Sequence, residues 1–289
     1  MTIAIFGNSH HEKISLFVNQ IIDFLQTKGD VDFVFEKKLF NLISAHALNY
    51  KIINDCGENF SADLAISIGG DGTFLKTTQY VAHRNIPIIG INMGRLGFLA
   101  ETDETEIFNT LSNILAGNYT IEERSLLQIT LSSGEVMERN FALNEIAITK
   151  KDESAMLNIA TSINGEAVHT YLADGLLIST PTGSTAYSLS VGGPIAVPQA
   201  AVTLLSPIAS HSLNVRPLII PDSWTIDLKI ISRNHSYMVA VDGRPNTLAD
   251  DICLHICKAD FTIKLIRCDE HTFFDTLRNK LMWGADKRQ

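Results

Sequence analysis

The sequence predicts an open α/β domain followed by an antiparallel β domain, with a helical segment at the end. Three observations carry this. Through about the first 120 residues, short apolar runs alternate with stretches whose apolar residues recur at helical spacing, the pattern of a mostly parallel sheet covered on both faces. After residue 122 the pattern changes to short strand-like runs joined by tight polar turns, which indicates sandwich-like antiparallel packing rather than α/β. A chain of 289 residues is long enough for two such domains. The expected division is residues 1–122, then 123–269, then a helical tail over 270–289.

Residues 2–6 form a short apolar strand that ends at Gly7-Asn8-Ser9. Ile14, Phe17, Val18, Ile21, Ile22 and Leu25 then recur at helical spacing, and Gly29 is a natural stop. Residues 31–35 read as a second strand and 39–48 as a helix. The run at 64–68, LAISI, is of the kind buried on both faces of a parallel sheet. A glycine-rich turn follows it, and 74–82 read as a helix. Residues 86–91 give another strand and 104–116 another helix.

In the second part, strands at 127–131 and 135–142 flank Ser132-Ser133-Gly134. Strands at 157–163 and 166–171 flank Asn164-Gly165, the strongest short-range hairpin signal. Strands at 225–231 and 237–241 flank the polar turn 232–236, and 271–283 return to helical character.

Composition bounds the function. A net charge of -9 argues against a nucleic-acid partner, which leaves a basic footprint. No apolar run approaches the length of a membrane span. The N-terminus, MTIAIFGNSHH, has no basic region ahead of its apolar run, so a signal peptide is not expected. Cys56, Cys253, Cys257 and Cys268 form no CxxC pair, and the sequence assigns no residue to a metal. Buried free thiols are expected at Cys253 and Cys257, and reduced cysteines fit a cytoplasmic protein.

The densest chemical stretch is Gly69-Gly70-Asp71-Gly72-Thr73, between an apolar strand and a helix. Glycines there let the backbone take up positive φ and approach a ligand closely, and the helix that follows presents free N–H groups suited to phosphate. Asp71 would repel a phosphate unless it binds a metal, takes a proton or holds a hydroxyl. The same residues also read as a plain strand–helix turn with an acidic start. Ligands on open α/β sheets bind at the carboxyl ends of strands, where Asp71 and Asn92 lie.

A second stretch, Asp174 to Tyr187, runs from a strand into Pro181-Thr182-Gly183-Ser184-Thr185 and then a helix containing Tyr187. Its hydroxyls and backbone donors suit a polyhydroxylated or amide-bearing ligand, with Tyr187 able to stack on a ring. A hydroxyl-capped helix start would look the same. Asn144-Glu145 opens a strand and Asp242-Gly243 reads as a turn. No GxSxG elbow and no Walker-A lysine loop is present.

Together these stretches resemble one family, the NAD kinases. The resemblance rests on GGDGT at 69–73, GINMGRLGFL at 90–99, NEIAI at 144–148 and ADGLLISTPTGSTAYSLSVGGPI at 173–195, with VAVDG at 239–243 as a weaker match. It covers essentially the whole chain, and the 173–195 block is what separates it from lipid kinases that share GGDGT. It implies a Rossmann-like α/β domain and a β-sandwich, with the C-terminal helix returning to the first domain. It also implies transfer of the ATP γ-phosphoryl group, with Mg²⁺ or another divalent cation, to the 2′-hydroxyl of the adenosine ribose of NAD.

By the same resemblance, Asp71 is the general base or hydroxyl-orienting group. Gly70, Gly72, Thr73, Phe74 and Asn92 belong to nucleotide binding, with Gly70 and Gly72 admitting phosphates. Asn144 and Glu145 hold ribose hydroxyls and adenine. Asp174 contacts the nicotinamide end, with Thr182, Thr185, Ala186 and Tyr187 around the bound NAD. Asp242 resembles a residue that reaches the site of a neighbouring subunit, which implies a homodimer or homotetramer. One departure is Leu172, where many bacterial members carry arginine. Two other readings share part of the pattern: a lipid or sphingoid-base kinase, and a non-catalytic NADP(H)-binding sensor.

Overall fold

The computed structural model describes residues 1–43, 50–94, 97–151, 156–268 and 272–284. The chain divides into two compact units, one of Met1–Glu123 with Ile263–Gln289, the other of Arg124–Thr262.

The first unit is built on β1 (Thr2–Gly7), β2 (Asp32–Glu36), β3 (Tyr50–Ile53), β4 (Leu64–Ile68), β5 (Ile88–Asn92) and β6 (Thr102–Asp103). Its helices are α1 (Ile14–Lys28), α2 (Lys37–Phe40), α3 (Asp71–Val81) and α4 (Ile107–Leu115). The strands pair in parallel in the order β3-β2-β1-β4-β5, with β6 against β5. This is a doubly wound sheet, and its order reverses between β1 and β4. Every residue of β4 and β5 is buried, as strands covered on both faces require. Ile14, Val18, Ile21 and Leu25 of α1 and Ile107 and Leu111 of α4 pack on one core with Ile3, Ile5, Ile66 and Ile89.

The second unit contains β7 (Thr120–Leu131) from Arg124 on, β8 (Phe141–Ala142), β9 (Glu145–Lys150), β10 (Leu157–Ile163), β11 (Glu166–Ala173) and β12 (Gly175–Ser179). A short helix α5 (Tyr187–Ser190) precedes β13 (Val202–Ile208), β14 (Leu218–Pro221), β15 (Ile226–Ile231), β16 (Ser236–Val241), β17 (Arg244–Ala249) and β18 (Leu254–Arg267). One antiparallel sheet runs β14-β13-β12-β9-β16-β17, and a second pairs β11-β10-β15-β18. A single core takes Ile146, Ile178, Leu205 and Val239 from the first sheet and Ile159, Tyr171, Leu228 and Ile256 from the second. That shared core makes the unit a β-sandwich. The last helix, α6 (Phe273–Leu281), belongs to the first unit and opens on a capping box between Thr272 and Asp275.

Several expected elements shift. The helix expected at 74–82 starts at Asp71, so Gly72 lies in its first turn. Where a helix is expected at 39–48, the described residues show Lys37–Phe40, and 44–48 lie outside them. The strand expected at 135–142 shrinks to Phe141–Ala142, because the chain regains β7 only where Ile129 donates to the Asn140 carbonyl at 2.8 Å. Cys253 and Cys257 are free but half-exposed rather than buried. Strand alternation explains this: Leu254 and Ile256 take the core face, and the cysteines take the other.

Candidate active site

The reversal of strand order places the end of β4 beside the end of β1, where Asn8 donates to the Ile68 carbonyl at 2.9 Å. Gly69 follows at φ 149°, and a Cβ there would lie 2.4 Å from Thr73 Oγ1, so the turn requires glycine. Asp71 opens α3, where the helix dipole favours an anion. Its side chain reaches the loop after β5. Oδ2 accepts from Phe98 N at 3.0 Å, and Oδ1 accepts from Leu99 N at 3.0 Å and Ala100 N at 3.3 Å. A carboxylate has about four acceptor positions, so among the described residues one, on Oδ2, carries no hydrogen bond.

The loop fits this carboxylate closely. A Cβ on Gly97 would stand 2.0 Å from Asp71 Oδ1. By contrast, among the described residues a Cβ on Gly70 or Gly72 would meet nothing within 4 Å, which leaves that side of the turn open to them. Thr73 is half-buried beside it. Phe74 is fully buried in the core of this unit. Asn92, also buried, turns its amide onto Gly94, accepting from its N–H at 3.0 Å. Arg95 and Leu96 of the GINMGRLGFL stretch lie outside the described residues.

In the second unit three separate stretches converge. Asp242 sits at φ 45°, and this turn aims its carboxylate at the start of β9. Leu143 N, Asn144 N and Glu145 N donate to it at 2.8, 2.8 and 3.1 Å. Asp242 is therefore engaged by three main-chain donors of its own chain. On the other side, Thr180 N donates to the Asn144 carbonyl at 2.9 Å, and Thr180 Oγ1 to the Leu143 carbonyl at 2.6 Å. A Cβ on Gly183 would lie 2.2 Å from the Asn144 carbonyl oxygen, so the 3₁₀ turn Thr182–Thr185 closes down on this segment.

Glu145 is the chemically unusual member. It is buried, and among the described residues its Oε2 has no hydrogen-bond partner. Burial, and secondarily the neighbouring Asp242, push its carboxyl up to about 7, against the Tyr187 N–H. Asp242 is itself raised by burial, opposed by its three amide bonds and by Arg139. A buried carboxyl oxygen with no partner is an acceptor waiting for a donor.

Around it, Thr182 is buried and accepts from Arg124 at 3.2 Å, while Thr185 donates to the Thr182 carbonyl at 3.3 Å. Ala186 is half-exposed, and the Tyr187 ring is 40% exposed and open to stacking. Asp174 pairs with Lys150 at 2.8 Å. Leu172 is exposed on β11. Sequence reasoning missed Arg124, Lys150 and the amides of 98–100, since main-chain donors leave no residue-type signal. It also missed Lys280 on α6, which lies 3.6 Å from Asp71 Oδ2.

Residues 3–119 match the family model of the ATP-NAD kinase N-terminal domain, and residues 143–268 that of the ATP-NAD kinase C-terminal domain. The chain is 48% identical over 289 residues to an NAD kinase of Bacteroides fragilis, with all of both chains covered. It is 43% identical over 298 residues to an NAD kinase of Flavobacterium psychrophilum, again over the full length of both. Among solved structures, a yeast NADH kinase in complex with NADH superposes with a TM-score of 0.88 at 22% identity, covering 99% of this chain and 88% of the other. An NAD kinase from Archaeoglobus fulgidus in complex with ATP gives 0.74 at 24% identity, covering 98% and 99%. These two show the fold. With family models over both parts and full-length relatives above 40% identity, the chain belongs to the NAD kinase family.

Proposed function

We propose that this chain is an NAD kinase that transfers the γ-phosphoryl group of ATP to the 2′-hydroxyl of the adenosine ribose of NAD, giving NADP and ADP. The observation that carries the reading is the Asp71 carboxylate, fixed by three main-chain donors with one acceptor position open on an exposed glycine turn. Phosphoryl transfer depends on positioning and charge stabilisation more than on covalent help. The open position of Oδ2 accepts the hydrogen bond of the attacking hydroxyl and orients it. The new O–P bond forms as the bond from the γ-phosphorus to ADP breaks. ADP leaves with the electron pair, and the hydroxyl proton passes to Asp71.

The exposed backbone of Gly70 and Gly72, with Thr73 at the N-terminus of α3, receives the ATP phosphates. In the second unit, Oε2 of Glu145 takes a ribose hydroxyl, Asn144 stands beside it, and the Tyr187 ring stacks on a base. Asp174, Thr182, Thr185 and Ala186 complete the NAD-binding set, while Asp242 and Asn92 position backbone. A divalent cation, Mg²⁺ in this reading, neutralises the phosphates when bound. Among the described residues there is no group of three or more His, Cys, Asp or Glu that could hold a metal ion. Assembly as a homodimer or homotetramer and a cytoplasmic setting belong to the same reading. Four free cysteines support the latter.

The test is NADP formation by purified protein given NAD, Mg²⁺ and either ATP or polyphosphate. Turnover with ATP is expected. Tight NADP binding with no turnover on either donor would favour a sensor, and neither turnover nor binding would overturn the reading.

A further inference from the structure

We infer that Lys280 is a positioning residue for the Asp71 carboxylate, delivered to it by the C-terminal helix. The inference rests on the kinase reading above and adds a residue to it. Phe273, Thr276, Leu277 and Lys280 recur at three- and four-residue spacing, so they share one face of α6. Thr276 and Leu277 are buried, and the Phe273 ring lies 6.4 Å from that of Phe98. One turn on, Lys280 Nζ stands 4.5 Å over the Phe98 ring and 3.6 Å from Asp71 Oδ2. Phe98 thus holds the site from two directions: its N–H binds Oδ2, and its ring carries the cation that faces the same oxygen.

The charge logic is direct. A bare carboxylate beside a glycine turn repels the polyphosphate that the turn is open to receive. An ammonium next to Oδ2 offsets that charge and constrains the oxygen whose remaining acceptor position orients the hydroxyl. Both side chains are 31% exposed, and a pair that wet contributes little to stability. Its effect therefore falls on turnover.

The experiment compares wild type, Lys280→Met, Lys280→Arg, Asp71→Asn and the Asp71→Asn/Lys280→Met double variant for NADP formation and thermal unfolding. Lys280→Met should lower kcat about tenfold and leave KM for NAD within about twofold. Its midpoint should stay within about 3 °C of wild type, and Lys280→Arg should recover most of kcat. In the Asp71→Asn background the lysine change should cost nothing further, because a residue acting through Asp71 has nothing left to position. Unchanged kcat in Lys280→Met, the same loss in the Asp71→Asn background, or no recovery with arginine would each overturn the inference while wild type turns over. A wild type that forms no NADP overturns the kinase reading and this inference together.

Discussion

The carboxylate of Asp71 accepts a hydrogen bond from the backbone N–H of Leu99 at 3.0 Å, across 28 positions of sequence. With Phe98 and Ala100 donating as well, the turn after β4 and the loop after β5 form one polar structure. The GGDGT stretch supplies the acceptor, and GINMGRLGFL supplies two of the three donors, with Ala100 directly after it.

Replacement of Asp71 by asparagine keeps one acceptor oxygen and sets an NH₂ group where Phe98 N–H or Leu99 N–H now donates. It also removes the group that orients the hydroxyl. We expect Asp71→Asn to lower kcat by about 100- to 10,000-fold, with NAD affinity within about threefold of wild type. Loss of one amide partner should cost about 1–3 kcal/mol of stability. Steady-state kinetics and urea unfolding check the two effects, and an unchanged kcat would remove Asp71 from the mechanism.

Gly97→Ala tests the same arrangement from the other side. A Cβ there would fall 2.0 Å from Asp71 Oδ1, closer than any real contact, so either the loop or the carboxylate must move. Misplacement of a reacting group by about 1 Å can cost about 100-fold in rate. The expected outcome is a kcat loss of about that size with NAD binding retained. An active Gly97→Ala enzyme would mean that the loop yields without disturbing Asp71.

Asp242→Asn probes the second unit. Asparagine tolerates the positive φ of this position, but it must give up one of the acceptor oxygens that serve Leu143, Asn144 and Glu145. We expect a stability loss of about 1–3 kcal/mol and weaker NAD binding, because the segment bearing Asn144 and Glu145 loses its anchor. Denaturant unfolding and NAD titration measure these. A variant that unfolds and binds NAD as wild type does would show that the carboxylate is dispensable to the segment.

The fold was legible where burial imposes a period. The LAISI run, helix α1 and the Asn164-Gly165 hairpin all follow from apolar spacing or turn chemistry, and each appears where expected. Residues 135–140 were not legible, since an apolar residue such as Val136 can sit 78% exposed in a loop. Within the site, Asp71 and the Asn144-Glu145 pair could be named from residue type and resemblance. The inward packing of the Phe74 ring is not legible in the motif, which gives residue type and not the direction of a side chain. Lys280 carried no signal because its neighbour in space lies on α3, far away in the chain. Asp242 was read as a turn, and it is one; what sequence could not give is the direction its carboxylate takes.

Glu145 gives the last prediction. Its carboxyl rises from the ordinary 4.5 to about 7 through burial, with Asp242 adding to the effect. Between those two values the folded protein holds a proton that the unfolded chain has released. The stability this group contributes is therefore fully present below pH 4.5 and is lost as pH rises through about 7. At about 1.4 kcal/mol per unit the loss is at most about 3 kcal/mol. Glu145→Gln cannot ionise, so it should escape this loss while keeping a carbonyl oxygen as acceptor. Urea unfolding of both proteins at about pH 5 and pH 8 should show wild type weakening relative to Glu145→Gln as pH rises. If the gap instead closes or reverses toward pH 8, the buried carboxylate is stabilised as an anion, and Oε2 has a donor in solution.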